Sequence, residues 1–398
     1  MQTVTKNTIM FPLDKLKPYI TEETILACSP GRINMIGEHT DYNNGFVLPA
    51  AIDKSAYILL TPRKDENINL YAVDLDKKYS TNINSIHKTG EWTDYLLGVA
   101  AQFVQKGFQL KGFDAALTSD VPVGSGLSSS AAVECAMAFG LNELINAGLD
   151  KLSLVKLAQK AEHEFPGVQC GIMDQFASVF GKADHLIKLD CKTLDYEYIP
   201  LNINGYAIVL FDTNVKHSLA ATAYNERREQ CAAGVDIVRK HIPSVTSLRD
   251  VTLAMLEEFV LPADALIYRR CRYVMDENNR VLKGCEYLKQ NDLADFGRLM
   301  FRSHEGLSKE YEVSCAELDF LVDEVKDKDY VLGARMMGGG FGGCTINLIK
   351  EDKVTDLIKE LTEAYEKEMK RELSAYKVST GNGTTLMTNV QNSYPSHL

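Results

Sequence analysis

The sequence predicts an α+β protein of two domains, in which helices pack on mixed sheets. A chain of 398 residues exceeds the usual size of one hydrophobic core. Strand-like and helix-like runs follow one another without the regular alternation of a parallel sheet, which favours the α+β class. The polar turn PLNING at Pro200–Gly205 separates two strand-like runs. We therefore divide the chain into residues 1–203 and 204–398.

Short alternating or apolar runs predict the strands, because successive side chains of a strand point to opposite faces of its sheet. These runs are Ile25–Cys28, Phe46–Ile52, Tyr57–Thr61, Ile68–Val73, Phe113–Ser119, His185–Asp190, Tyr206–Asp212, Val331–Met337, Cys344–Ile349 and Ala375–Thr380. Helical periodicity predicts helices over Trp92–Gln105, Ser129–Asn146, Leu152–Glu164 and Asp352–Leu373. Residues 224–308 are predicted to be mainly helical.

The composition is that of a globular protein, with 45% hydrophobic residues, 24% charged residues and a formal net charge of −11. An acidic surface repels nucleic acid and anionic membranes, so we expect neither as a partner. An anionic ligand then needs a local positive site, a bound cation or backbone amides. No apolar run reaches the roughly 18 residues of a membrane span, and the first residues lack the apolar core of a signal peptide.

Nine cysteines are scattered along the chain, and none forms a C-x-x-C pair. They indicate neither a zinc site nor a disulfide framework. This usage is typical of a reducing compartment. We expect a cytoplasmic protein that works as a monomer.

The segment Ser119–Ile145 combines a strand end, a turn with Gly124 and Gly126, three serines and a strong helix. Glycines let a ligand approach the backbone, and serines at a helix start are expected to cap its free amides. A helix N-terminus behind such a turn is suited to bind an anion. The alternative is a capped turn that binds nothing. The P-loop lysine and the protein-kinase motifs are absent, so a phosphate here depends on Mg²⁺ and the helix dipole.

The segment Ser29–Asp53 places Arg32, Glu38, His39 and Asp41 within ten residues of one another. Carboxylates suit hydroxyl-rich ligands, because each oxygen accepts hydrogen bonds from sugar hydroxyls. The segment is therefore a candidate sugar-binding edge. A polar loop with solvated charges is the alternative.

Two further segments give weaker evidence of a functional site when each is taken alone. Lys160–Gly181 carries Glu162 on a predicted helix and Asp174 at the start of another, where an acid also complements the helix dipole. Ala334–Ile346 has five glycines within six residues between two predicted strands. Such a cluster indicates backbone that passes close to a ligand, or a tight hairpin.

Together these four segments resemble the superfamily of galactokinase, homoserine kinase, mevalonate kinase and phosphomevalonate kinase. The turn at Pro122–Ala132 is similar to its phosphate-binding motif, and Gly338–Gly343 is similar to its third motif. GRINMIGEHTDYNNGFVLPAAID, residues 31–53, resembles the galactokinase signature over its whole length. The resemblance extends from near residue 25 to beyond residue 380 and includes AYNERREQC at Ala223–Cys231.

The resemblance implies a two-domain sugar kinase with its active site in the cleft between the domains. It implies transfer of the γ-phosphoryl group of ATP, with Mg²⁺, to the anomeric hydroxyl of D-galactose. Asp174 and Arg32 take the catalytic positions, and Ser130 and Glu162 take those of the metal ligands. The implied sugar contacts are Glu38, His39, Thr40, Asp41, Gly171 and Tyr224. The implied ATP contacts are Gly124, Ser125, Gly126, Leu127, Ser128, Ser129 and Ser130.

Three other functions stay open from the sequence. An N-acetylgalactosamine kinase needs extra room at the second carbon of the sugar. A galactose sensor that regulates transcription is altered within the serine–alanine run, whereas GLSSSAA is uninterrupted here, although a second regulatory role is left open. A nucleic-acid-binding protein is opposed by the acidic charge and the lack of a basic patch.

Overall fold

The structure is a computed structural model that describes residues 11–215 and 220–387. The described strands are β1 (Ile25–Asn34), β2 (Phe46–Val47), β3 (Pro49–Pro62), β4 (Asn67–Ala72), β5 (Lys77–Asn82), β6 (Phe113–Ser119), β7 (His185–Asp190), β8 (Tyr196–Pro200), β9 (Tyr206–Asp212), β10 (Val331–Met336), β11 (Cys344–Lys350), β12 (Ser374–Val378) and β13 (Thr385–Met387). The described helices are α1 (Phe11–Asp14), α2 (Asp94–Gln105), α3 (Ser129–Leu144), α4 (Lys151–Glu164), α5 (Met173–Phe180), α6 (Ala220–Arg239), α7 (Leu253–Met255), α8 (Ala265–Lys289), α9 (Leu293–Glu305), α10 (Ala316–Asp323) and α11 (Val354–Met369).

The first large sheet has six strands in the order β13-β1-β3-β6-β4-β5. Its pairs are antiparallel except β4 and β6, which are parallel. Strand β4 alternates between buried and more exposed residues, and Ile68 and Leu70 face the core. Helices α2 to α5 cover this core, in which Phe103, Phe113 and Phe176 are fully buried or nearly so. Helix α3 packs against β1 and β3 of this sheet.

The second sheet has four strands in the order β10-β11-β9-β12. Strand β9 is buried on both faces: Ile208 and Leu210 pack in one apolar cluster, and Val209 and Phe211 pack in another. Its continuous apolar run follows from this double burial. A smaller sheet, β2-β7-β8, lies beside α8. None of the helices in the described ranges is both long enough and apolar enough to cross a bilayer.

The predicted division near residue 203 lies between β8 and β9, which belong to different sheets. Beyond β12 the chain returns to the first sheet, where β13 pairs with β1. The Thr384 hydroxyl lies 2.8 Å from the Ser29 hydroxyl and donates to the Ser178 carbonyl at 2.9 Å. The two-domain division stays a prediction, and the return of the last segment was not predicted.

Most predicted elements are confirmed, and β6, β7 and β9 have the predicted bounds. The single strand predicted over Phe46–Ile52 is wrong, because the structure has a break at Leu48 between β2 and β3. The helix predicted over Asp352–Leu373 ends at Met369. Strand β5 was missed because its polar residues are half-buried or exposed and carry no alternation. The elements β8, α10 and β13 were also missed.

Candidate active site

Segments that are distant in the chain surround one cavity of about 320 Å³. It lies where the end of β1, the loop before α3, the start of α5 and the loop between β10 and β11 meet. The predicted site residues that line it are Arg32, Glu38, His39, Asp41, Gly124, Gly126, Leu127, Ser128, Ser129, Ser130, Glu162, Asp174 and Tyr224.

Arg32 and Asp174 form a two-pronged ion pair at the centre of this cavity. Arg32 Nε donates to Asp174 Oδ1 at 2.8 Å, and Nη2 donates to Oδ2 at 2.9 Å. The third prong, Nη1, donates to the Gly126 carbonyl at 2.5 Å. Burial opposes the charge, but the carboxylates of Asp174 and Glu38 outweigh it and raise the pKa of Arg32. Three of the five guanidinium N–H groups are thus used, which leaves two for a ligand.

Ser128 does not cap α3, contrary to the expectation for serines at a helix start. Its backbone is left-handed, with φ of 56°, and its side chain makes no capping bond to the helix. The hydroxyl instead donates to Asp174 Oδ2 at 2.5 Å. The first amides of α3 therefore keep their hydrogen-bonding capacity for a ligand.

The loop before α3 has the backbone that its glycines predict. Gly124 and Gly126 have φ of 81° and 76°, in the region that disfavours other residues. The loop is tied to β1 by the Arg32 amide, which donates to the Leu127 carbonyl at 3.0 Å. Ser125 is fully buried with its hydroxyl on the Pro122 carbonyl, so its side chain shapes the turn and does not line the cavity.

Ser130 and Glu162 meet at the base of the cavity. Ser130 Oγ donates to Glu162 Oε1 at 3.0 Å, while Glu162 Oε2 accepts from Gln175 at 2.6 Å and from the Cys170 thiol at 3.1 Å. Burial raises the pKa of Glu162, although the bonds from Cys170 and Ser130 oppose that shift. Helix α4 carries Glu162 and is capped at its start by Asp150, which accepts from the Ser153 amide at 2.7 Å.

Glu38 is held by the third motif. Its Oε1 accepts from Arg335 Nη2 at 3.0 Å and from the Gly338 amide at 2.9 Å. Arg335 is fully buried and also bonds the carbonyls of Asn34, Met35 and Met336. None of the described hydrogen bonds uses Glu38 Oε2, which is therefore left for a ligand.

Asp41 lines the cavity without a described side-chain ion pair. Burial and, after it, the nearby charge of Asp174 raise the pKa of Asp41 to about 7. A side-chain carbon at Gly171 would lie 1.9 Å from Asp41 Oδ2, so the glycine makes room for this carboxylate. Gly171 acts on the site through Asp41, and it does not line the cavity.

His39 and Tyr224 form an aromatic wall, with ring centroids 5.3 Å apart. Both His39 nitrogens already contact protein atoms: Nδ1 lies 2.8 Å from the Tyr42 hydroxyl and Nε2 lies 3.2 Å from the Gly339 carbonyl. Burial lowers the pKa of His39 to about 3, so the ring is neutral. The predicted hydrogen bond from His39 to a sugar therefore has no spare ring nitrogen.

Thr40 was predicted to contact the sugar, but it is fully buried and does not line the cavity. Its hydroxyl bonds the carbonyls of Gly37 at 2.9 Å and Phe46 at 2.6 Å. Its physical role is therefore to close the loop that presents Glu38 and Asp41.

The glycine cluster is both a hairpin connection and a wall of the cavity. It joins the antiparallel pair β10 and β11, and Gly338, Gly339 and Gly340 line the cavity. A side-chain carbon at Gly340 would lie 2.1 Å from the Val313 carbonyl, and φ there is 83°. Glycine is required here because a neighbouring backbone passes so close.

The cavity is acidic. Glu38, Asp41, Glu162 and Asp174 line it, and Arg32 is the one cationic side chain among the described residues that do so. Within the described ranges, no group of three or more acidic, histidine or cysteine side chains forms a metal centre. An anionic ligand must therefore bring a cation or use the amides of α3.

The fold and the site define a small-molecule kinase of the GHMP class. The models described as "GHMP kinases N terminal domain" and "GHMP kinases C terminal" match residues 94–182 and 286–367. A third model, "Galactokinase galactose-binding signature", matches residues 17–62. The predicted α+β fold class is confirmed.

Among its relatives, the galactokinase of Thermotoga maritima is 43% identical over 355 residues, which cover 89% of this chain and 98% of that protein. The galactokinase of Clostridium acetobutylicum is 41% identical over 361 residues, with coverages of 89% and 92%. The chain belongs to the galactokinase family.

Comparison with solved structures also finds a galactokinase. Lactococcus lactis galactokinase complexed with galactose matches with a TM-score of 0.89 and 34% identity, and the match covers 94% of this chain and 98% of that one. Methanococcus jannaschii mevalonate kinase matches with a TM-score of 0.65 and 20% identity over 90% of this chain and 98% of that one, which shows a shared fold.

Several residues of the site were missed from the sequence. Arg335 lies within a predicted strand, although an arginine in an apolar run is itself a signal of a buried ion pair. Gln175 follows Asp174 directly and bonds Glu162. It also donates to Glu134 at 3.3 Å, a fully buried carboxyl that no sequence pattern distinguished. Tyr42 lies inside the recognised signature, yet no role was assigned to it.

Proposed function

We propose that this chain transfers the γ-phosphoryl group of ATP to the anomeric hydroxyl of D-galactose, which gives galactose 1-phosphate and ADP. One observation carries the proposal: the Arg32 fork holds Asp174 beside the uncapped first turn of α3. An acceptor for a hydroxyl and a binding surface for phosphate thus share one cavity. Membership of the galactokinase family supports galactose as the sugar.

The phosphates of ATP bind at the glycine–serine loop. The backbone from Gly124 to Ser130 faces the cavity over most of its length, and the free amides of α3 favour an anion. Arg32 lines the same cavity, and its two unused N–H groups would stabilise negative charge on the transferring oxygens. A guanidinium suits this role because its charge is permanent and its geometry is planar.

Mg²⁺ would accompany ATP, and Ser130 and Glu162 are the residues that would hold it. A hydroxyl and a carboxylate 3.0 Å apart are hard oxygen donors, and Mg²⁺ takes one or two protein ligands with phosphate oxygens and waters. The ion would neutralise phosphate charge in a cavity that has four carboxylates and one guanidinium.

Galactose binds to the free Oε2 of Glu38 and to Asp41, against the wall formed by His39 and Tyr224. Asp174 then accepts the anomeric hydroxyl. Its oxygens already take three hydrogen bonds, two on Oδ2 and one on Oδ1. Because a carboxylate has about four acceptor positions, the free one lies on Oδ1 and fixes where the hydroxyl sits.

Phosphoryl transfer asks the protein mainly for alignment and charge stabilisation, which this arrangement supplies. Asp174 orients the attacking oxygen and takes its proton as the bond to phosphorus forms. Arg32 positions Asp174 with two prongs and the loop carbonyl with the third, so one side chain aligns both substrates.

We further propose that the protein acts as a cytoplasmic monomer without nucleic acid or membrane as a partner. The net charge of −11 supports the exclusion of polyanions. All nine cysteines are free, which supports a reducing compartment.

The substrate assignment is tested by a coupled assay of ADP release with galactose, glucose, N-acetylgalactosamine, mevalonate and homoserine. We expect release with galactose alone, because the chain belongs to the galactokinase family. Release with N-acetylgalactosamine at a higher kcat/KM, or with neither hexose, contradicts the proposal.

The role of Asp174 is tested by Asp174→Asn. This change keeps the shape of the side chain, so the protein should fold and bind galactose in calorimetry. We expect kcat to fall by at least about 100-fold, the usual effect of losing a proton acceptor. The surface variant Asp114→Asn is the control. Turnover close to wild type in Asp174→Asn removes Asp174 from the mechanism.

The fork of Arg32 is tested by Arg32→Lys, which keeps the charge and removes the bidentate contact. We expect kcat to fall roughly 100-fold and KM to change much less, because the contact matters mostly in the transition state. Arg63→Lys, at a surface arginine that pairs with two aspartates, is the matched control. A change confined to KM assigns Arg32 to ground-state binding instead.

The raised pKa of Asp41 predicts that galactose binding depends on pH near neutrality. Its pKa of about 7 in the free protein means that the ionised fraction grows as pH rises through 7. Sugar hydroxyls donate to the ionised form, so calorimetry should show affinity falling about tenfold between pH 8 and pH 6. Asp41→Asn should bind weakly with no such slope. An equal slope in both proteins shows that another group is responsible.

A further inference from the structure

A continuous row of buried and part-buried hydrogen bonds runs from the cavity into the helical layer behind it. Its members are the Gly339 carbonyl, the His39 ring, the hydroxyls of Tyr42 and Tyr311, and the Cys231 thiol. They come from the sugar signature, the glycine cluster, the segment after α9 and helix α6. The row therefore joins four separate parts of the chain around one site.

The donor and the acceptor of each hydrogen bond in this row can be assigned by starting from the Gly339 carbonyl. A carbonyl only accepts, so His39 Nε2 carries the hydrogen in the 3.2 Å contact with Gly339. Burial keeps the pKa of His39 at about 3, so the neutral ring has no second hydrogen. Nδ1 is then an acceptor, and the Tyr42 hydroxyl donates to it at 2.8 Å.

The remaining protons are fixed in turn. Tyr42 has spent its one hydrogen on His39, so its oxygen accepts from the Tyr311 hydroxyl at 2.8 Å. Tyr311 has then used its hydrogen as well, so the Cys231 thiol donates to it at 3.2 Å, although, against the effect of burial, the hydrogen bonds around this thiol lower its pKa. Burial raises the pKa of both tyrosines well above the ordinary value, which keeps these hydrogens in place. All the bonds point one way, from the thiol to the carbonyl.

Two features of the backbone make this row important to the site. His39 has φ of 62°, a left-handed conformation that disfavours a residue with a side chain. It is stabilised by bonds on both sides of the ring. The partner carbonyl belongs to Gly339, whose backbone packs against Tyr224, where a side-chain carbon would lie 3.3 Å from the ring. A change in the histidine would thus move the aromatic wall of the cavity.

We propose that Tyr42 and Tyr311 are positioning residues for sugar binding: Tyr42 fixes His39 as the Nε2–H tautomer, Tyr311 orients Tyr42, and the histidine in turn holds the glycine cluster against the sugar signature. The proposal rests on the proposed function for its kinetic consequence alone. Neither tyrosine takes part in phosphoryl transfer. Tyr42 acts directly on the histidine, and Tyr311 acts through Tyr42.

The first measurement is the tautomer of His39 in the full chain labelled with ¹⁵N-histidine. Long-range ¹H–¹⁵N spectra distinguish the two nitrogens, and the His39 signal is assigned by its loss in His39→Gln. We expect the Nε2–H form in the wild type and a mixture of tautomers in Tyr42→Phe. Tyr311→Phe should keep the Nε2–H form, because Tyr42 retains its own hydrogen. A wild-type ring protonated on Nδ1, or on both nitrogens, overturns the proposal.

The second measurement is steady-state kinetics with galactose. Loss of one buried hydrogen bond corresponds to roughly a five- to tenfold change in binding, so KM should rise by that factor in Tyr42→Phe. The rise should be smaller in Tyr311→Phe, and kcat should stay within about twofold in both. The control is Tyr198→Phe, which loses a hydroxyl bond of 2.7 Å to the Phe180 carbonyl away from the cavity.

The two measurements separate the possible failures. If the wild type does not phosphorylate galactose, the proposed function fails while the spectra still decide the hydrogen-bond row. An unchanged tautomer and KM in Tyr42→Phe overturn the positioning role. Should Tyr42→Phe fail to fold, the wild-type spectrum and the KM of Tyr311→Phe decide, and an unchanged KM there contradicts the proposal.

Discussion

The contact on which the site depends is the fork between Arg32 and Asp174, two residues separated by 142 positions in the chain. The arginine side chain is 5% exposed, so its buried charge needs a paired carboxylate and hydrogen bonds to be stable. Asp174 satisfies two of them, and the Gly126 carbonyl satisfies a third. Strand β1, helix α5 and the loop before α3 are consequently fixed to one another by a single planar group.

A second buried arginine, Arg335, fixes the segment that carries Glu38 in the same way. Arg335 and Glu38 have side-chain exposures of 0% and 2%, and the guanidinium also bonds three backbone carbonyls. Removing one partner of such a pair costs about 3–5 kcal/mol, because the other charge stays buried and unpaired. The glycine cluster therefore cannot move away from the segment of Glu38 without leaving a buried charge unpaired. Two guanidinium groups thus hold the walls of the cavity: Arg32 lines it and bonds Asp174, and Arg335 lies behind Glu38.

The sequence predicted those parts of the fold that are visible in local patterns. The apolar run of β9 and the alternation of β4 each report which faces are buried, so both strands were found. The residues around Gly124, Arg32 and Asp174 were recognised by resemblance, and the structure brings them into one cavity. Local pattern does not reveal which of two polar partners a side chain takes. Thr40 illustrates this limit, because a threonine beside sugar-binding carboxylates has the same sequence whether its hydroxyl faces a ligand or two carbonyls.

Ser128 shows how a departure from the local rule creates the chemistry. A serine at the start of a helix usually satisfies one of the free amides, which would weaken the attraction of α3 for phosphate. The left-handed backbone at Ser128 turns the hydroxyl away from the helix and onto Asp174. Because the Ser128 hydroxyl bonds Asp174 and not the helix, the amides of α3 stay free and a third acceptor position on the aspartate is filled. In a cavity with four carboxylates and one guanidinium, those amides are among the few groups that favour an anion. The proposed sugar and phosphate sites can therefore be neighbours, because the Ser128 hydroxyl bonds Asp174 and leaves the start of α3 uncapped.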